Sequence, residues 1–467
     1  MLYSHNGKDR VFLDSLQNQL IQVKYWRRIF TPGSSGPVSI PSTKSSAGSE
    51  RKVTMKYLLF ACTVFGAILA FIFRTPVPDG LTEPWKYRLL IATTSVQALL
   101  ARISAYFQPD NPHAYIQAFR SIRDLTNVPS PSEVKGSNIR SKVTTFDGVR
   151  VRLYELIKKK EFLQPALIYI HGGGYALGSP DGYDRLTRDL AERLNMVVVS
   201  IDYRLAPEHP FPAGHLDCLS ATSWFLRNAQ DFGVDANRVA ISGDSGGGHM
   251  SATVSQVIND DPALPNLKLQ ILIYPATQTL DLLTPSYQKY DQDFGDEGIL
   301  PRKRVAAFIS MYDLGRSDPL YMQQILSNEH IIREFRLNSP YMNYVDHSVI
   351  PSELRKETRL YRPPRQGPGN ESLWRQVESK YLDPRWAPLL RQDLSGLPQA
   401  FVTTCGFDSI RDDGIFYAKR LEEAGVKTQW KHYPSAFHGV MFINNFFWFQ
   451  VGEVMTNDIV EFVQKNI

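Results

Sequence analysis

From residue 149 onward, short runs rich in Val, Ile, Leu and aromatic residues alternate with longer segments whose apolar positions recur every three or four residues. The short runs predict strands at 149–156, 166–170, 196–201, 239–242, 270–274, 399–404 and 427–433. The longer segments predict helices at 184–194, 215–228, 247–259, 412–424 and 450–465. Such alternation is satisfied by a mostly parallel sheet with helices on both faces, an α/β architecture. One interval breaks the rhythm. Residues 278–391 separate two strand candidates by far more than a loop spans, so they are expected to fold as a helical lid.

Two apolar stretches precede the sheet. Residues 57–73 carry no charge and are bracketed by Lys56 and Arg74. At about 1.5 Å per residue the run reaches about 25 Å, close to the thickness of a thin bilayer. It lacks the polar stripe of a core helix, and Phe-Ile-Phe-Arg at its end is no signal-peptidase site, so it is expected to be a membrane anchor. The second stretch, 89–107, holds Gln97, Arg102 and several Ser and Thr. It reads as an amphipathic helix that covers a pocket or rests on a membrane rather than crossing one. The expected organisation is a basic disordered arm at 1–56, an anchor at 57–73, and a linker with N-terminal lid helices at 74–148. A catalytic domain at 149–467 follows, with its insertion at 278–391.

Charge changes this picture in one respect. The net charge of +5 and the high isoelectric point raise the question of a nucleic-acid partner. Residues 1–56 contain nine Lys and Arg against Asp9, Asp14 and Glu50, which leaves the other residues close to neutral. The main body therefore has no basic footprint for nucleic acid. The excess before the apolar run places the arm in the cytosol and the body on the far side, a single-pass topology with the N-terminus inside. The arm is rich in Ser, Gly and Pro between 32 and 50, and Met55 could itself begin a shorter chain. The three cysteines, Cys62, Cys218 and Cys405, build no disulfide scaffold, and no CxxC or HExxH spacing points to a metal.

The chemistry is concentrated in four short motifs. Gly243-Asp244-Ser245-Gly246-Gly247 lies between a predicted strand and a predicted helix, the setting a nucleophile elbow requires. Glycines at 243 and 247 relieve a sharp turn that lifts the Ser245 hydroxyl clear of the sheet. His171-Gly172-Gly173-Gly174 follows the 166–170 strand, and its N–H groups, with that of Gly246, suit an oxyanion. His171 is expected to brace this loop rather than to react. A phosphate loop would want a lysine, and none follows. Asp408 ends the 399–404 strand region, whereas Asp412 and Asp413 are expected to open the next helix. Phe437-His438-Gly439 follows the last strand. Nucleophile, acid and base in the order Ser245, Asp408, His438 make a triad, which needs no metal or organic cofactor.

Together with Asp202-to-Ala213 (DYRLAPEHPFPA) and Phe407-to-Gly414 (FDSIRDDG), these motifs resemble the hormone-sensitive-lipase family of α/β-hydrolases. TPVPDGLTEPW from Thr75, YPATQTLDLLTPSY from Tyr274 and LDPRWAPLL from Leu382 are similar to the branch formed by arylacetamide deacetylase and its paralogues. The resemblance covers Met55 to the C-terminus and leaves residues 1–54 without a counterpart. It implies an α/β-hydrolase fold, Ser245, Asp408 and His438 in the roles above, and an oxyanion hole of Gly172, Gly173, Gly174 and Gly246. It also implies a signal-anchor in the endoplasmic reticulum membrane with a lumenal body. Three departures stand out: Gly246 where the family often has Ala, Tyr175-Ala176 where the branch has an aromatic-Cys pair, and hence Cys405 without that partner.

The expected activity is hydrolysis of esters or arylacetamides with small acyl groups on bulky apolar partners, since the lid segments are rich in aromatic and aliphatic residues. A sterol-ester or ether-lipid hydrolase is the nearest alternative, and a ligand-binding pseudoenzyme a remoter one. Asn370-Glu371-Ser372 is a glycosylation sequon, expected in an exposed loop of a lumenal body.

Overall fold

The computed structural model describes residues 63, 66, 70–125, 129–158, 161–359, 361–362, 367–444 and 446–467. The chain divides into two units, Met1–Gly66 and Ala67–Ile467. The expected arm, and all of the 57–73 run except Thr63, Gly66 and residues 70–73, lie outside the described residues. The sheet and every candidate site residue belong to the second unit.

Eight strands form one sheet: β1 (Ile139–Phe146), β2 (Val149–Leu156), β3 (Gln164–Ile170), β4 (Val197–Ile201), β5 (Val234–Asp244), β6 (Leu269–Ile273), β7 (Gln399–Phe407) and β8 (Thr428–Phe437). Their order is β1-β2-β4-β3-β5-β6-β7-β8. The β1–β2 and β2–β4 pairs are antiparallel and the rest are parallel. The central strands are apolar on both faces because both are covered. In β3, Ile168 and Ile170 point to one face, where they meet Cys218 and Phe225 of helix Ala213–Arg227 and Met250 of helix Gly246–Asp260. Leu167 and Tyr169 point to the other, among Leu186 and Leu190 of helix Asp184–Leu194 and Ile459 of helix Gln450–Asn466.

Every strand expected from the sequence is present, with β3, β5, β7 and β8 longer than read. β1 was not expected. It extends the sheet into the segment read as linker and lid, so the sheet starts at Ile139 rather than at 149. The interval 278–391 folds as expected into short helices, among them Pro285–Phe294, Arg302–Leu314 and Glu371–Tyr381. The segment expected as an amphipathic helix is part of Pro84–Tyr106, long and apolar enough to cross a membrane by composition alone. It packs against the helix Ala114–Asp124.

Candidate active site

The candidate residues converge because each sits at the C-terminal end of a parallel strand, where α/β sheets place their sites. The glycine loop leaves β3, the serine leaves β5, Asp408 follows β7 and His438 follows β8. β3 and β5 are neighbours, and so are β7 and β8.

Ser245 stands between β5 and helix Gly246–Asp260 with φ of 56° and ψ of −121°. A positive φ on a serine is strained by about 1–3 kcal/mol, and the flanking packing must hold it. The glycines of the elbow are sterically required. A Cβ on Gly247 would stand 2.0 Å from the Ile170 carbonyl oxygen, and one on Gly243 would stand 2.4 Å from that of Gly247. The turn is locked by the Ser245 N–H, which donates to the Ile273 carbonyl at 2.8 Å.

Ser245 Oγ lies 2.8 Å from His438 Nε2, and His438 Nδ1 lies 2.8 Å from Asp408 Oδ2. Asp408 is 2% exposed and His438 5%, so this chain is shielded from water. The other oxygen of Asp408 accepts the Ile410 N–H at 2.9 Å, which fixes the carboxylate plane. Tyr274 packs on the imidazole with ring centres 4.9 Å apart. Asp412 and Asp413 open helix Arg411–Glu423 as expected. Asp412 pairs with Arg411, and Asp413 accepts from Gln278 Nε2 at 2.8 Å. Burial, and then the nearby Asp412 and Asp408, push the Asp413 carboxyl well above the usual range.

The glycine loop differs from the expectation at one residue. Gly172 N–H donates to Asp244 Oδ1 at 2.9 Å, so it is not free to meet an oxyanion. Asp244 also accepts Tyr169 O–H and Tyr183 O–H, each at 3.0 Å. This buried carboxylate therefore ties the loop to the elbow. Its pKa is raised, chiefly by burial, although the three donors oppose the shift. Among the described residues, no protein acceptor takes the N–H of Gly173, Gly174 or Gly246. Gly173 and Gly174 have φ of 120° and 59°, which only glycine adopts without strain. His171 is fully buried, stacks on Tyr203 at 4.4 Å, and has Nδ1 at 2.9 Å from the Gly172 carbonyl oxygen. Burial lowers its pKa and keeps it neutral at pH 7. From the helix Ala114–Asp124, Arg120 donates to the Ala176 carbonyl at 2.7 Å and pairs with Glu208 at 2.8 Å.

A cavity of about 50 Å³ opens at Ser245. Its walls include Tyr175, Tyr287, Leu300, Phe308, Tyr312 and Trp386, with Gln278 and Asp413 as polar groups. Tyr175, Tyr312 and Trp386 are stacked, with successive ring centres 4.0 and 5.2 Å apart. Tyr175 lies over Gly246: a Cβ there would stand 3.0 Å from its ring. Arg120 and Phe308 were not singled out in the sequence. Asp244 and Tyr175 were named there, one inside the serine motif and one after the glycine motif, but without these contacts. No group of three or more metal-ligating side chains occurs among the described residues.

The pattern of the alpha/beta hydrolase fold family matches residues 167–331 and 328–442. Bovine (Bos taurus) arylacetamide deacetylase is 35% identical over 88% of this chain and 100% of its own length. Bovine neutral cholesterol ester hydrolase 1 is 35% identical over 87% of this chain and 98% of its own. The chain belongs to the α/β-hydrolase family that holds these two enzymes. Its fold is shared by an esterase of Pyrobaculum calidifontis (TM-score 0.55, 25% identity, 75% of this chain and 92% of that one). An arylesterase gives a TM-score of 0.51 at 25% identity, over 75% of this chain and 91% of its own. As a member of this family the protein is a serine hydrolase acting on esters.

Cys218 and Cys405 are free and buried. Asn370 is half-buried at the end of the irregular 367–370 stretch. It caps helix Glu371–Tyr381, accepting the Leu373 N–H at 3.0 Å, and its own N–H donates to the Glu329 carbonyl at 2.7 Å.

Proposed function

We propose that Ser245 is the nucleophile of a membrane-anchored esterase and deacetylase, with His438 as general base and Asp408 as its orienting acid. The observation that carries this reading is the continuous hydrogen-bonded chain from Asp408 through His438 to Ser245 at the mouth of an apolar cavity. His438 Nε2 takes the hydroxyl proton as Ser245 Oγ attacks the acyl carbon, and Asp408 holds the imidazole tautomer that makes this possible. Charge develops on the carbonyl oxygen, which the N–H groups of Gly173, Gly174 and Gly246 receive. One such donor is worth about 3 kcal/mol of barrier. His438 then returns the proton to the leaving alcohol or amine, and water repeats the sequence in reverse to release the acid.

The proposed substrates are carboxylic esters and arylacetamides with small acyl groups. The narrow cavity supports a short acyl chain, and the stacked Tyr175, Tyr312 and Trp386 support a flat or bulky apolar partner. Hydrolysis of sterol esters is the second reading, favoured by the match to neutral cholesterol ester hydrolase. A panel of esters offered to the purified full chain separates the two. Faster turnover of short aryl esters and arylacetamides supports the first, and exclusive turnover of sterol esters overturns it.

The proposed setting is the endoplasmic reticulum membrane, with residues 57–73 as the anchor, 1–56 cytosolic and the hydrolase body lumenal. The charge asymmetry about the apolar run supports this orientation. Protease treatment of intact microsomes tests it: the body survives without detergent if lumenal, and is digested if cytosolic.

A further inference from the structure

The helix Pro84–Tyr106 is apolar on two opposite faces. One face is committed to the protein: Tyr87, Leu90, Ile91 and Ala101 are at most 8% exposed. The other carries Val96, Leu99, Leu100, Ile103 and Tyr106, continued by Phe107 just past its end; pairs of these lie three or four residues apart, and they are 46% to 81% exposed. At 3.6 residues per turn this stripe is centred about half a turn from the buried face. Polar residues occupy the flanks between them, Arg88, Ser95 and Arg102 on one side and Lys86, Thr93 and Gln97 on the other. Scattered exposed apolar residues need no explanation, but an aligned apolar stripe of this length marks a contact surface.

The surroundings identify the occupant. Phe73, the last residue of the apolar run, lies under the Arg88 guanidinium, with the carbon 5.5 Å from the ring centre. Arg88 Nε also donates to the Thr75 carbonyl at 3.3 Å. The chain therefore leaves its apolar run beside the first turns of this helix. Trp85 and Trp448, 60% and 55% exposed, flank Lys86 there. Exposed tryptophans beside cationic side chains suit the headgroup level of a bilayer. The helix cannot itself cross, because Tyr87 is wedged against Phe437, the residue before His438, at 5.0 Å between ring centres.

We infer that the outer stripe of helix Pro84–Tyr106 lies in the boundary between lipid headgroups and acyl chains, and that the site takes apolar esters directly from the bilayer. The inference rests on the proposed anchor for the position of the membrane and on the proposed triad for the reaction. Its geometry explains why the protein needs both faces of one helix. The inner face packs beside His438, while the outer face grips the phase in which an apolar ester is dissolved.

The test uses the full chain in phosphatidylcholine nanodiscs. An environment-sensitive fluorophore is attached at Leu100→Cys and, as control, at Asn237→Cys, an exposed position near the opposite end of β5. The label at 100 is expected to shift to the blue and to be quenched by lipid carrying an acyl-chain nitroxide; the label at 237 should do neither. In a second arm, Leu99→Asp with Ile103→Asp is expected to slow hydrolysis of a long-chain ester dissolved in the disc by about tenfold or more, while a water-soluble short ester is cleaved at the parental rate. An unquenched label at 100, equal loss on both esters, or a blue shift that needs two chains per disc overturns the inference, the last in favour of a second copy. Alkaline extraction of microsomes reads the anchor separately, and fluorophosphonate labelling reads the triad. A failure of either is thereby distinguished from a failure of the docking face.

Discussion

Replacing Asp244 by alanine isolates the contact that holds the glycine loop against the serine. The side chain accepts hydrogen bonds from Gly172 N–H at 2.9 Å and from the hydroxyls of Tyr169 and Tyr183 at 3.0 Å. All three donors are buried, and each costs about 1–3 kcal/mol when left unpaired. A water entering the vacated space recovers part of this, so Asp244→Ala is expected to lower unfolding free energy by about 3–5 kcal/mol. The same change frees the Gly172 peptide and with it the N–H groups of Gly173 and Gly174. Misplacing one oxyanion donor costs about 3 kcal/mol, or roughly a hundredfold in kcat with KM little changed. Asp244→Asn separates geometry from charge. Its amide oxygen still accepts from Gly172 and Tyr169, and only the Tyr183 hydroxyl must turn to accept from the new NH2. Burial already pushes this carboxyl toward its neutral form, which the amide resembles. The asparagine variant is therefore expected to lose no more than about 1–2 kcal/mol of stability and less than tenfold in kcat. Urea unfolding and steady-state hydrolysis of a soluble short ester measure both. An alanine variant that turns over within threefold of the parent would refute the reasoning.

Asp408→Asn is expected to lower kcat by about a thousandfold or more, because the amide favours the wrong imidazole tautomer, whereas Asp413→Asn keeps an acceptor for Gln278 and loses far less; the reverse ranking in an ester assay moves the acid into the helix. Gly247→Ala places a Cβ 2.0 Å from the Ile170 carbonyl oxygen and is expected to yield no folded enzyme, read as loss of the soluble cooperative unfolding transition. Burial depresses His215, His249 and His330 to about 4, 3 and 4 respectively. Below the unfolded value of about 6.5 the unfolded chain takes up protons that the fold refuses. Stability is then lost at about 1.4 kcal/mol per pH unit per histidine down to about pH 4, with no slope from these groups above 6.5. Urea midpoints at pH 7.5, 6.0 and 5.0 check this, and a flat profile contradicts it.

The central strands were legible because burial on both faces writes a nearly unbroken apolar run, as in β4, whose five residues are all buried, with only Ser200 polar. β1 was not, since Ile139-Arg-Ser-Lys-Val-Thr-Thr-Phe146 buries only Ile139, Ser141 and Phe146, too thin a signal for an edge strand. The three reactive side chains were legible because each follows a strand inside a short motif. The Gly172–Asp244 bond was not, because it joins residues 72 apart and no local pattern encodes it. Nor was Tyr175 over Gly246, which depends on how the insertion packs Tyr312 against the glycine loop. Asn370 was legible as a sequon, but its capping role was not read. Leu373, Trp374, Val377 and Tyr381 behind it have helical spacing and are buried, and an asparagine before such a pattern is a cap.

The assignment of Ser245 is tested most directly by labelling with a fluorophosphonate in native membranes. The probe carries its electrophilic phosphorus to whichever serine is activated, whatever the natural ester. The parental chain is expected to be labelled, and the modified peptide to contain Ser245. The Ser245→Ala variant, unfolding at the same urea concentration as the parent, is expected to show no label and a turnover lower by several orders of magnitude. Undiminished labelling of a folded Ser245→Ala chain, or a label on another serine, would contradict the account.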